Sequence, residues 1–329
     1  MNTPTTPRTT RTSTRKPVNL RVLQEVALRY FMEVVRAGSV TEAANRLDVA
    51  PSAVSRQIGR LERELDTLLF ERKARGMTPN AAGELLAAHA RRAWLDVERV
   101  AEEILALRGL RTGEVRIAAT EGFAHEYLPS VVIGFQKTWP GIRFAIDMFA
   151  QAEVARRVRD GEVDIGVTVS LSSERGLKVE HRHPSPIMAV MAIDHPMAVR
   201  RLVSLAQVTA YPLALPSKVS TLRQLLDISC SRQGLLCNEA ITSNHLYPLI
   251  NYVSESQAIT FCGEAALRRR LVEGRITAVP LRDREMNERH FEVQTLAGRH
   301  LPEAVRTFVA FLREHILEEE RQGQQVAAR

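Results

Sequence analysis

Cysteine is scarce in this chain of 329 residues: there are three, Cys230, Cys237 and Cys262. An odd number in a long chain without a secretory apolar segment argues against a disulfide framework and for a reducing interior. No apolar run reaches the length needed to cross a bilayer, so the expected location is cytoplasmic, with no membrane partner. Catalytic constellations are missing as well. The nine histidines form no HExxH pair, and there is neither a GxSxG elbow nor a phosphate-binding glycine loop. The expectation is a non-enzyme with no catalytic residue, no cofactor and no metal. His181, His183 and His195 come nearest to a metal set, and no cysteine or acid completes it at ligand spacing.

What is present is basic and long. Lysine and arginine number 45 against 38 acids, a net charge of +7, which fits a polyanionic partner without proving one. The length calls for two or more domains with sizeable cores. Residues 1–18 are rich in Thr, Arg and Pro, hold no acid, and read as a disordered basic tail. Arg8, Arg11, Arg15 and Lys16 either add unspecific phosphate contacts or belong to a solvated tail without a role. A transit peptide shares this composition.

The stretch from Ser39 to Leu65 carries the strongest local signal. Ser39 and Glu42 stand at capping-box spacing, and Asp48, Val49 and Ala50 make a tight turn. Pro51 suits the first turn of a second helix, where it has no N–H to lose. At about 100° per residue, Val54, Ile58, Leu61 and Leu65 share one side of that helix, and Ser52, Ser55, Arg56 and Gly59 share the other. A face built from serines, a glycine and an arginine lets a helix come close to a surface and contact phosphate or a guanine edge. Ahead of it, Leu20 to Arg36 reads as a structural helix ended by Gly38.

AANRLDVAPSAVSRQIGRLERELDTLLFER, followed by an Asn-Ala-Ala-Gly helix opening, closely resembles the DNA-binding domain of the LysR-type transcriptional regulators. The family usually reads Ser-Gln-Pro at the turn, where this chain has Ala50, Pro51 and Ser52; Ser55 and Arg56 match the family pattern. The resemblance implies a winged helix-turn-helix over 19–79, with Pro51, Ser52, Ser55, Arg56, Gly59 and Arg60 toward the major groove. Arg72, Lys73 and Arg75 lie in a basic turn read as the wing, meeting backbone or minor groove.

Asn80 is expected to cap a long helix running to about Arg108, the linker region being 80–112 with its hinge. Leu86, Ala90, Ala93, Val97, Val100, Ile104 and Leu107 follow one another at steps of four and three, a coiled-coil seam that implies a partner helix. Two copies would space two reading heads for a two-fold DNA site. From about residue 113 the pattern changes to alternating strands and helices, which argues for parallel sheet covered on both faces. By resemblance this is a two-lobed α/β effector domain of the periplasmic-binding-protein type. Lobe I is expected over about 113–185 and 275–329, and lobe II over about 186–274.

Ligands of open α/β sheets sit beyond the carboxyl ends of strands, near helix N-termini. That rule selects Thr120, Glu121, Gly122, Ala150, Gln151 and Thr168 from the first lobe, and Ser217, Lys218, Ser220 and Thr221 from the second. Glu121 repels an anion and Lys218 attracts one, which leaves the charge of the ligand open. Cys230 and Cys237 open a redox-sensing alternative, because some LysR-type relatives sense peroxide with a cysteine pair in this lobe. Where those relatives place the reactive thiol, this chain has Thr221.

The expected function is therefore a LysR-type regulator whose sequence-specific binding is modulated by a small-molecule effector. Expected partners are double-stranded promoter DNA, the effector, further copies of the chain as dimer or tetramer, and RNA polymerase as an additional candidate. An architectural DNA-binding protein would explain the basic head but not the two-lobed module.

Overall fold

The structure, a computed structural model, describes residues 26–73, 76–106, 113–172 and 174–327, and leaves undescribed the side chains at 72–73, 98, 102–103, 105–106, 268–269 and 319–327. The basic tail, the start of the first helix, the Arg72 and Lys73 side chains, Arg75, Leu107 and most of the hinge thus lie outside the described residues. The chain divides into two units between Ala93 and Trp94, inside a single helix.

The first unit opens with α1 (Val26–Ala37), α2 (Val40–Leu47) and α3 (Pro51–Leu65). Gly38 ends α1 with φ 67°, its N–H donating to Val34 O at 2.9 Å. Half of the expected reciprocal cap forms at α2: Ser39 Oγ accepts from Glu42 N at 3.5 Å, while the Glu42 carboxylate turns to Arg46 Nε at 3.3 Å. The turn closes through Asp48, at φ 53°, and a Val49 N–H bond to Ala44 O of 3.0 Å. Val54, Ile58 and Leu61 of α3 are buried against Phe31, Val34, Ala43, Ala44 and Phe70, and each contributes about 1.5–3 kcal/mol by leaving water.

The wing follows as an antiparallel hairpin of β1 (Phe70–Lys73) and β2 (Gly76–Pro79), with Phe70 opposite Pro79 and Lys73 opposite Gly76. Next comes α4 (Ala81–Ala106). Asn80 caps it, Oδ1 accepting from Gly83 N at 2.9 Å while Nδ2 donates to Leu68 O at 2.8 Å. At Gly83 the helix runs so close to the wing that an added Cβ would lie 2.1 Å from Leu69 O.

In the second unit, lobe I contains β3 (Gly113–Ala119), α5 (Glu121–Ala124), α6 (Tyr127–Gln136), β4 (Ile142–Met148), α7 (Gln151–Arg159), β5 (Ile165–Ser170) and β6 (Leu177–Pro184). Lobe II takes β7 (Ile187–Ala192), α8 (Leu205–Val208), β8 (Leu213–Pro216), α9 (Thr221–Arg232), β9 (Glu239–Ser243), α10 (Leu246–Ser254), β10 (Thr260–Gly263), α11 (Arg268–Val272) and β11 (Ile276–Pro280). The chain then returns to lobe I as β12 (His290–Leu296) and α12 (Glu303–Ala327).

The lobe I sheet has the order β4-β3-β5-β12-β6. One face packs on α6 and α12 through Ile117, Leu128, Phe135, Ile165 and Phe308. The other face takes Val154 and Val158 of α7. Asp164 is a buried clamp: its Oδ2 accepts from Arg116 N at 2.8 Å, and its Oδ1 lies 2.9 Å from Arg299 Nη1.

Two expectations need correction. The sheets are mixed, not parallel: β3, β4 and β5 are parallel, but β12 runs antiparallel to β5 and β6, because it enters from the other lobe. In lobe II, β10 and β11 both pair antiparallel with β7, and the parallel pair β8-β9 joins through the Leu213–Ile259 bridge. The boundary expected at about 275 also moves. Ile276–Pro280 pair with Met188–Ala192, so β11 belongs to lobe II and the return crossing lies between Pro280 and His290.

Replacing Gly83 by Ala is expected to destabilise the first unit by about 1–3 kcal/mol, the usual cost of overpacking. Denaturant unfolding followed by a probe in that unit measures it, and an unchanged midpoint would refute the tight helix-to-wing approach.

Candidate functional site

Pro51, Ser52, Ser55 and Arg56 are exposed along the outward face of α3, and Gly59 and Arg60 are half-buried beside them. A Cβ built at Gly59 meets nothing within 4 Å, so this glycine is not required by packing. Arg63 Nε donates to Gly59 O at 3.1 Å along the same face. The arrangement is amphipathic in the expected sense, with the three apolar anchors pointing inward and short polar groups plus a cation pointing out.

The expected seam on α4 splits in two. Leu86 belongs to the buried core of the first unit, and Ala90 is buried. Ala93, Val97, Val100 and Ile104 are exposed, Val97 at 69% and Ile104 at 52%. Leu95 projects from roughly the opposite side of the helix, is 4% exposed, and lies where a Cβ on Gly161 would come within 2.7 Å of its Cδ1. The helix thus has an anchored face and an apolar face in water.

The expected effector residues fall into distinct environments. Thr120, Ala150 and Ser220 are the residues before α5, α7 and α9, and none caps its helix with a side chain. Gln151 Oε1 is buried without a hydrogen-bond partner among the described residues. Thr168 is buried in the sheet opposite Glu292. Ser217 N donates to Ser243 O at 2.9 Å, tying β8 to β9, while Lys218 is exposed and Thr221 half-buried.

Glu121 and Gly122 serve a contact between the lobes. Glu121 Oε2 accepts from Leu246 N at 2.8 Å, the first residue of α10, and Oε1 lies 3.7 Å from both His125 Nε2 and His245 Nδ1. Gly122 is packed on Ala266, where a Cβ would approach to 3.2 Å. Glu126 and Tyr247, which the sequence reading missed, complete the contact with an O–H···O bond of 3.0 Å, and the Tyr247 ring stands edge-on to His125 at 4.5 Å.

The three histidines considered for a metal are not brought together. His181 and His183 lie on β6, whereas His195 is buried in lobe II with Nδ1 accepting from Met197 N at 3.1 Å. Cys230 and Cys237 are thiols with their sulfurs 3.6 Å apart. Burial, reinforced by the bond to Cys237, pushes the Cys230 thiol up to about 12, so it is a poor nucleophile at neutral pH.

A further residue escaped the sequence reading. Arg289, before β12, is 7% exposed, and its Nε and Nη1 have no acceptor among the described residues. It lies in the charged run LRDREMNERH, which looks like a solvated loop. Only its burial sets it apart.

Comparison with known proteins gives a consistent result. The family model described as "Bacterial regulatory helix-turn-helix protein, lysR family" matches residues 26–84, and the LysR substrate binding domain model matches residues 108–317. The chain is 28% identical over 210 residues to the transcriptional activator protein LysR of Escherichia coli, covering 64% of this chain and 66% of that protein. It is 26% identical over 250 residues to the HTH-type transcriptional regulator CysL of Bacillus subtilis, covering 76% and 84%. A full-length OxyR variant from Pseudomonas aeruginosa has a similar fold, with TM-score 0.63, 17% identity, and coverage of 87% of this chain and 93% of that one.

Gly59→Ala separates stability from recognition. Alanine in a helix interior gains up to about 1 kcal/mol over glycine, and no neighbour opposes it. The expected outcome is a raised Tm with several-fold weaker binding of operator DNA in a mobility-shift titration. Unchanged binding would mean that this face does not come close to DNA.

Proposed function

The chain belongs to the LysR family of DNA-binding transcriptional regulators with a small-molecule effector domain, and on that premise we propose which of its residues do the work. Ser55 and Arg56 contact base edges in the major groove, while Pro51, Ser52, Gly59 and Arg60 bring the helix into register against the backbone. Arg72, Lys73 and Arg75 of the wing add phosphate or minor-groove contacts. One observation carries this reading: the serine, arginine and glycine face of α3 is outward while Val54, Ile58 and Leu61 are buried.

The exposed stripe Ala93, Val97, Val100 and Ile104, continued by Leu107, pairs α4 with its counterpart in a second copy. Dimers hold two reading heads over a two-fold site, and pairs of dimers form the tetramer. The effector is received between the lobes by Thr120, Ala150, Gln151, Thr168, Ser217, Lys218, Ser220 and Thr221. Glu121 and Gly122 are assigned instead to the lobe contact. Effector binding favours one lobe arrangement and so alters how linked dimers space and bend DNA.

The protein acts in the cytoplasm, on promoter DNA and beside RNA polymerase, and catalyses no reaction. No helix among the described residues is long and apolar enough to cross a membrane. The buried Cys230 thiol weighs against a cysteine-pair sensor.

Arg56→Ala is expected to relax sequence selectivity at one operator position by about 1–3 kcal/mol, measured by competition between matched and mismatched duplexes. Undiminished selectivity would remove Arg56 from the interface. Val97→Glu is expected to convert dimer to monomer at concentrations where the parent chain sediments as a dimer. Persistence of the dimer would place the interface elsewhere.

A further inference from the structure

The two segments that connect the lobes run side by side at Ser185 and Arg289, where Ser185 N donates to Arg289 O at 2.8 Å. Gly263, at the end of β10, packs onto the same place: a Cβ there would lie 3.1 Å from Ser185 Oγ. Its neighbour Cys262 is buried and close enough to Arg289 for thiol and guanidinium to act on each other electrostatically. One small neighbourhood therefore gathers a guanidinium, a hydroxyl and a thiol from both connecting segments and from lobe II.

Its chemistry is one-sided. Among the described residues no carboxylate lies within ion-pair distance of Arg289, although most other buried or half-buried arginines here are paired, Arg223 with Asp227 and Glu239, and Arg299 with Asp164. Ser185 Oγ and the Cys262 thiol can both donate a hydrogen bond. Burial pulls the Arg289 guanidinium down to about 10, which leaves it charged at neutral pH. A buried, charged and unpaired group is strongly unfavourable, and a planar fork of donors matches a small oxyanion.

We infer that Arg289, with Ser185 and Cys262, is a receptor for the oxyanion end of a ligand, a carboxylate or a sulfate-like group, at the crossing between the lobes. This deepens the effector reading of the preceding subsection and rests on it. It also assigns a negative charge to the recognised end of the ligand, because Arg289 is a buried cation whose Nε and Nη1 have no acceptor among the described residues. An anion at the crossing touches the two segments about which the lobes turn, so it bears directly on their arrangement.

The test is a thermal-shift titration of the full chain at fixed ionic strength with sodium acetate, sodium sulfate or uncharged acetamide. Acetate or sulfate is expected to raise Tm by a few degrees in a concentration-dependent way, and acetamide to leave it unchanged. A response to acetate alone identifies a carboxylate receptor, and a response to sulfate alone a tetrahedral one. Arg289→Met should abolish the shift without lowering the anion-free Tm, since it removes an unpaired charge. Equal shifts in parent and variant, no shift with either anion, or a folded variant with a markedly lower anion-free Tm would each overturn the proposal. If Arg289→Met does not fold, Ser185→Ala carries the test: a several-fold weaker anion response supports the site and an unchanged one refutes it. An anion response at Arg289 that leaves DNA binding unaltered supports this site while counting against the effector reading. A metabolite effect on DNA binding that survives Arg289→Met does the reverse.

Discussion

The carboxylate of Glu121 sits on the first N–H of α10, and the relation between the two lobes depends on that placement. The start of a helix has N–H groups without intrahelical partners and a partial positive charge, so a carboxylate there is favoured by roughly 0.3–1 kcal/mol, more where partly buried. What matters is that donor and acceptor belong to different lobes. The bond exists only while the lobes are together, and His125, His245, Glu126 and Tyr247 are arranged around it. Ala266 against Gly122 sets how closely α5 can approach. A residue selected from the sequence as a ligand contact is thus also an internal one, and its carboxylate occupies the first N–H of a helix in the other lobe.

A different trade operates in the DNA-binding unit. Helical glycine is costly to stability, and nothing around Gly59 demands it, so packing does not explain its presence. At Gly83 the reverse holds, since the backbone of Leu69 leaves no room for a Cβ. Two glycines that look alike in the sequence thus differ in kind: the protein's own interior requires one and not the other.

Legibility followed the same division between local and distant causes. The register of α3 could be read because its apolar spacing, the turn before it and Pro51 at its first position agree. By contrast β6, LKVEHRHP, lies at the edge of its sheet with no fully buried position, and after Val179 it continues Glu-His-Arg-His with no apolar side chain to mark an inward face. The sequence does not announce helix α10, because Pro248 resembles a breaker, although a proline in the first turn has no hydrogen bond to lose. The sequence alone assigns the segment from about 275 to lobe I, yet the membership of Ile276–Pro280 in lobe II depends on Met188–Ala192, far away in sequence. Arg289 is the extreme case, since only the fold turns one arginine of a charged run into a buried one.

These observations bound how strongly a ligand must act. The lobe contact consists of a few bonds each worth on the order of 1 kcal/mol, one of them charge-assisted, so in the proposed mechanism this contact contributes a difference of a few kcal/mol between the two arrangements. A ligand that binds one arrangement about 100-fold more tightly supplies about 2.7 kcal/mol of bias, comparable to that difference. Pairing a buried guanidinium is a means of reaching such a ratio, because the gain is realised only in the arrangement that keeps the charge enclosed. Tight binding alone would shift nothing; the unpaired cation at the crossing gives the ligand a reason to distinguish the two states.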